Sequence, residues 1–82
     1  MAVRIRLKRM GKRNQPYYRL CIFDSRTKRD GREIEVVGHY NPRKEKDEEK
    51  YKIDTERVNY WLGVGAQPTD KVRSILKSQG VL

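Results

Sequence analysis

Val3, Ile5 and Leu7 alternate with Arg4, Arg6 and Lys8 along the first eight residues. Strict alternation puts the apolar side chains on one face of an extended strand and the cations on the other. From Met10 to Pro16 the alternation stops, and Gly11, Asn14 and Pro16 predict a loop. A second strand is predicted from Tyr17 to Asp24. Tyr18, Leu20 and Ile22 share one face there, and Tyr17, Arg19, Cys21 and Phe23 share the other. Ser25 to Arg32 is polar and carries the turn signal Asp30-Gly31. Glu33 to Tyr40 predicts a third strand with Ile34 and Val36 on one face; Gly38 marks a bulge or a close approach. The charges of Arg43 to Lys50 nearly cancel, so that run is expected to be a solvated loop. Tyr51 to Ile53 has the length of a short edge strand.

After residue 53 the period changes to a helical one. Asp54 is the predicted N-cap of a helix with Val58, Trp61 and Leu62 on one stripe, ended by Gly63 and Gly65. Thr69 is the predicted N-cap of a second helix. Asp70 lies in its first turn, Val72, Ile75, Leu76 and Gln79 on one face, Lys77 in its last turn, and Gly80 at its C-terminal cap. Strands followed by helices predict an α+β domain: a small antiparallel sheet of three to four strands, then two short helices. The expected core is Val3, Ile5, Leu7, Leu20, Ile22, Ile34, Val36, Val58, Trp61, Leu62, Ile75 and Leu76.

Eighty-two residues suffice for a single domain, here 1–82, with a modest core. Charged residues make up 38% of the chain and apolar ones 35%, a balance that leans towards disorder; the periodic spacing argues against that. Cys21 is the only cysteine, so an internal disulfide and a thiolate metal cluster are both excluded. A reducing compartment is expected. The N-terminus has no signal-peptide core and no apolar run nears 18 residues, so secretion and a membrane span are not expected.

Charge changes the picture most. Residues 1–32 hold eleven Lys and Arg against two acids, and their net +9 equals that of the whole chain. Such a pole attracts a polyanion, and nucleic acid fits best. It has three parts: the stripe Arg4, Arg6, Lys8, expected to be exposed; the loop with Arg9, Lys12 and Arg13; and the loop with Arg26, Lys28, Arg29 and Arg32. If the first two strands pair through the first loop, the basic loops are held apart and can clamp two backbone segments. The arginine fork suits phosphate. Tyr17, His39 and Tyr40 fall at strand ends beside these loops, where unpaired bases stack.

Catalytic signals are weak. One His and one Cys offer no nucleophile–base pair, and Gly63-x-Gly65 lacks the third glycine of a dinucleotide loop. Asp24 and Asp30 flank a loop and would be needed for a metal-dependent nuclease, but carboxylates among cations are usually structural. No enzyme activity and no cofactor are expected. A general architectural module for nucleic acid is the alternative to a dedicated RNA-binding protein.

Seven segments then fall in a familiar order. They are Val3-Arg4-Ile5-Arg6-Leu7-Lys8-Arg9, Pro16-x-Tyr18-Arg19, Asp24-Ser25-Arg26, Arg29-Asp30-Gly31-Arg32, Gly38-x-Tyr40-Asn41-Pro42, Tyr60-Trp61-Leu62 and Gly65-Ala66-Gln67-Pro68-Thr69-Asp70. In this order the chain resembles the bacterial family of small-subunit ribosomal protein sixteen. The resemblance implies a non-catalytic protein, monomeric within the ribosome and cytoplasmic, with an organellar ribosome as the alternative. Its partners would be small-subunit ribosomal RNA and neighbouring ribosomal proteins, and its role the assembly and stability of the subunit. The family's RNA-facing segments carry over to the first basic loop, the Ser25 to Arg32 loop and the Gly38 to Arg43 turn. They add Asn14, Ser25, Asn41 and Arg43 to the candidates, and the basic pole itself adds Arg19. Asn14 and Gln15 stand where basic residues are common, and His39 where a tyrosine is usual.

Overall fold

The computed structural model of the protein describes residues 2–27 and 31–82. Five strands form one sheet, with β1 (Val3–Lys12), β2 (Gln15–Asp24), β3 (Glu35–Tyr40), β4 (Tyr51–Ile53) and β5 (Gln67–Pro68) in the spatial order β4-β3-β2-β1-β5. A single turn, α1 (Asp47–Lys50), leads into β4. Two longer helices, α2 (Thr55–Gly63) and α3 (Asp70–Ser78), flank β5 in sequence.

The β1–β2 hairpin is the backbone of the sheet. Val3 pairs with Asp24 at one end and Lys12 with Gln15 at the other. Ile5 lies opposite Ile22 and Leu7 opposite Leu20, so the alternation read from sequence places its apolar set on one face. On that face Ile5, Leu20, Ile22 and Val37 pack with Val58 of α2, Val72 and Leu76 of α3, and Ala66. Both helices are capped as their sequences require. The Asp54 carboxylate accepts from the Arg57 N–H at 3.3 Å, and the Thr69 hydroxyl oxygen accepts from the Val72 N–H at 3.4 Å.

Five sequence expectations need correction. The first loop is only the Arg13-Asn14 turn, because both strands continue through residues expected to lie outside them. The third strand begins at Glu35 rather than Glu33. Val36 is 37% exposed and Ile34 50% exposed, while Val37 is buried in their place. The cause is a β-bulge. Leu20 faces Gly38 but Cys21 faces Val36, so Val37 is the extra residue and turns into the core. The sheet has five strands rather than three to four and is mixed, not purely antiparallel, because β5 runs parallel to β1 through Arg4 and Ile5. Finally, the charge run expected as loop contains α1.

The other face of the sheet is partly covered. Phe23 and Cys21 are buried there, beneath the Arg6 guanidinium, which lies 4.3 Å from the Phe23 ring centre. Arg6 donates to the Thr27 carbonyl at 3.1 Å and Lys8 to the Glu33 carboxylate at 2.7 Å. These contacts tie the chain following β2 to β1. Burial, and secondarily the Glu33 charge, push the Cys21 thiol up to about 11, which keeps it protonated and unreactive.

Candidate nucleic-acid interface

A ten-residue hairpin is about 30 Å long, and its two ends carry different parts of the basic pole. At the turn end, Arg9, Arg13 and Asn14 are exposed and Tyr17 is half-buried. The chain leaving β3 comes to the same end, because Tyr40 pairs with Tyr18. The Asn41 side-chain oxygen accepts from the Arg43 N–H at 3.1 Å and fixes that turn. Gly11, Gln15, Pro16, Tyr17, Asn41 and Arg43 together line a cleft of about 320 Å³. Sequence reasoning had named Tyr17, Asn41 and Arg43, but not Gly11, Gln15 or Pro16 as part of one concavity. Only the pairing of β2 with β3 makes them neighbours.

At the opposite end, Asp24 organises the second basic segment. Its carboxylate accepts from the Arg26 N–H at 2.9 Å and lies 3.5 Å from the Arg26 guanidinium. The Arg26 side chain is nevertheless 86% exposed, free to turn towards a ligand. The Arg26 backbone N–H, aided by its side chain, holds the Asp24 carboxyl below its ordinary range. Ser25 is half-buried and its N–H donates to the Ala2 carbonyl at 3.0 Å, while Arg32 is exposed. Lys28, Arg29, Asp30 and the side chain of Lys12 lie outside the described residues.

The Arg4, Arg6, Lys8 stripe is corrected in part. Arg4 is exposed, but Arg6 and Lys8 are half-buried and engaged by Thr27 and Glu33. The reason is Phe23 and Cys21, two large or apolar groups on the cationic face that need a cover. Tyr40 also differs from expectation. Its ring stacks between Tyr18, at 5.8 Å, and Tyr51, at 5.1 Å, so both faces are occupied and only its edge is left to offer. Arg19 lies across the sheet from His39, which is exposed.

Among the described residues no group of His, Cys, Asp and Glu could hold a metal ion, and no helix is long and apolar enough to cross a membrane. The acids near the interface are engaged with cations instead. Lys8 holds Glu33 below its ordinary range, and Arg57 does the same to Glu35 through a bidentate pair at 2.6 and 2.7 Å. A depressed folded-state carboxylate contributes stability above its unfolded value, and that contribution is lost as pH falls through the folded value. The thermal midpoint is therefore expected to fall as the pH drops below the ordinary glutamate value of 4.5. Glu35→Gln should start lower at pH 6 and show a shallower fall; a slope equal to that of the parent chain would remove Glu35 from the account.

A family model described as Ribosomal protein S16 matches residues 9–69 of the chain. The small ribosomal subunit protein bS16 of Caldicellulosiruptor bescii is 54% identical over 82 residues, covering 100% of this chain and 99% of the relative. That of Kineococcus radiotolerans is 56% identical over 80 residues, 98% of this chain but 60% of the relative. For Acidothermus cellulolyticus the identity is 55% over 80 residues, and the chain spans 45% of the relative.

Proposed function

Since the chain belongs to the ribosomal protein S16 family, a family of structural and not enzymatic proteins, we propose that it binds small-subunit ribosomal RNA through the two ends of its β1–β2 hairpin and so supports the assembly and stability of the subunit. One observation carries this reading. Arg9, Lys12 and Arg13 stand at one end of a single hairpin and Arg4 and Arg26 at the other, within a segment that carries the whole +9 while the rest of the chain is neutral. A solvated surface has no need of that asymmetry. Two cationic ends about 30 Å apart can hold two RNA segments that would otherwise repel each other.

At the turn end, Tyr17, Asn41 and Arg43 line the cleft, and Arg9, Arg13 and Asn14 are exposed at the same end of the hairpin. Arg13 and Arg43 take phosphates, and Tyr17 offers its ring to an unpaired base. At the far end Arg4, Ser25, Arg26 and Arg32 serve the second segment, together with Lys28 and Arg29. Arg6 and Lys8 act indirectly, by holding the chain after β2 in place. Neighbouring small-subunit proteins complete the setting, and the protein works as a monomer within the cytoplasmic ribosome.

The test is binding to small-subunit ribosomal RNA made in vitro, with duplex DNA as competitor, across a salt series. With roughly six to eight phosphate contacts the affinity should fall by about 0.7–0.9 log units per contact for each decade of salt. Arg13→Ala combined with Arg43→Ala should lower that slope by about two contacts' worth and leave the melting curve almost unchanged. Equal competition by DNA would reduce the protein to a general charged module. An unchanged slope in the double variant would remove the cleft from the interface.

A further inference from the structure

We propose that the sheet face turned away from the helices carries a second phosphate track, in which Arg19, His39 and Lys52 grip one RNA backbone strand running across β2, β3 and β4. This rests on the RNA-binding reading above and adds a contact, Lys52, that lies outside the basic N-terminal pole. The register places Lys8 opposite Arg19, Arg19 opposite His39, and His39 opposite Lys52. Four basic side chains thus form one rung across four strands. Lys8 and Arg19 are like charges directly opposite each other, a pairing that destabilises a sheet, so the folded chain alone gains nothing from it.

Of the rung's three Lys and Arg side chains, only Lys8 has an ion-pair partner among the described residues. Lys8 meets Glu33 at 2.7 Å, and Glu33 also feels the Arg19 charge without being hydrogen-bonded to it. Arg19, His39 and Lys52 have no ion-pair partner among the described residues. The Arg19 Nε is buried and lacks a hydrogen-bond acceptor there. No acceptor within the fold therefore holds the Arg19 side chain in place.

The surroundings fit a backbone strand. His39 and Lys52 are exposed. They border a shallow hollow with Val36, Val37, Gly38, Ile53 and Asp54. Asp54 is the one carboxylate on its rim, and its oxygen accepts from the Arg57 N–H. With strands about 4.8 Å apart, the reach from Arg19 to Lys52 is about 10 Å. The next pair on the same face, towards the turn, is Met10 with Tyr17, and Tyr17 walls the cleft. The track therefore runs into the cleft, and a single RNA strand can pass from one to the other.

The experiment uses the full chain and small-subunit ribosomal RNA made in vitro. The salt slope is measured for Lys52→Ala, His39→Ala, Arg13→Ala and Lys77→Ala, the last an exposed lysine on α3, remote in sequence from the track. Lys52→Ala should lower the slope by about 0.7–0.9, and His39→Ala should weaken binding across the whole salt series; Lys52→Arg should restore the slope, and Lys77→Ala should change nothing. An unchanged slope in Lys52→Ala and unchanged affinity in His39→Ala, with a lowered slope in Arg13→Ala, would overturn the track and leave the cleft standing. Unchanged slopes in all of them would overturn both. Equal losses in Lys77→Ala would mean that only net charge matters, which also overturns the track.

Discussion

Gly38→Val is expected to lower the thermal midpoint by more than 10 °C. Gly38 is buried in β3, and a Cβ there would sit 2.8 Å from the Lys52 carbonyl oxygen and 3.3 Å from the Ile53 Cα. Both are backbone atoms of β4, so no side chain can swing aside. The strand must move, and it is attached by only three pairs: Gly38 with Ile53, His39 with Lys52, and Tyr40 with Tyr51. Its displacement would remove Ile53 from the core and Tyr51 from the stack on Tyr40. Overpacking of this kind costs about 3 kcal/mol, and each kcal/mol shifts a domain of this size by roughly 4–8 °C. A calorimetric scan measures it. A shift under about 4 °C, the smallest that one kcal/mol would give, would mean that β4 contributes little and tolerates displacement.

The same bulge explains where sequence reasoning succeeded and where it stopped. In β1 and β2 the alternation is unbroken, so Ile5, Leu7, Leu20 and Ile22 were assigned to the right face from spacing alone. In β3, spacing put Ile34 and Val36 inward. The extra residue at Val37 reverses the phase of everything before it, and nothing local announces a bulge except Gly38. β5 is two residues long and contains a proline. It exists because β1 offers a free edge at Arg4 and Ile5, a tertiary fact that no local pattern carries. The helix caps at Asp54 and Thr69 were readable because capping is a contact within three residues.

The candidate site was legible as charge and not as geometry. The count of cations located the basic pole, yet it treated Arg6 and Lys8 as equivalent to Arg4. Phe23, on the same face as all three, was the available signal, since a large ring on a face of cations needs their aliphatic stems as cover. Lys52 was invisible for the opposite reason. It lies in the part of the chain whose charges cancel, and only the register of β2, β3 and β4 sets it beside Arg19 and His39.

Gly11→Ala should weaken RNA binding by about tenfold or more while the core stays folded. Gly11 has φ +87°, and an added Cβ would lie 2.5 Å from the Gln15 carbonyl oxygen and 2.9 Å from the Tyr17 ring. The conformation alone costs an alanine about 1–2 kcal/mol, and the contact adds to it. Unlike Gly38, this residue sits beside the two-residue turn, opposite Pro16, where the strands can separate without disturbing Leu20 or Ile22. The strain is thus relieved by deforming the cleft that Gly11, Gln15, Pro16 and Tyr17 line together. If that deformation accounts for about 1.4 kcal/mol of binding, the loss is tenfold. A chain assembled by chemical ligation with D-alanine at position 11 separates the causes. A D-residue adopts positive φ without penalty, and its Cβ takes the place of the other hydrogen. Affinity restored by D-alanine would assign the loss to the shape of the turn. Full affinity in the L-alanine chain would show that the cleft does not take part in binding, and the interface would shift to the Arg26 end of the hairpin.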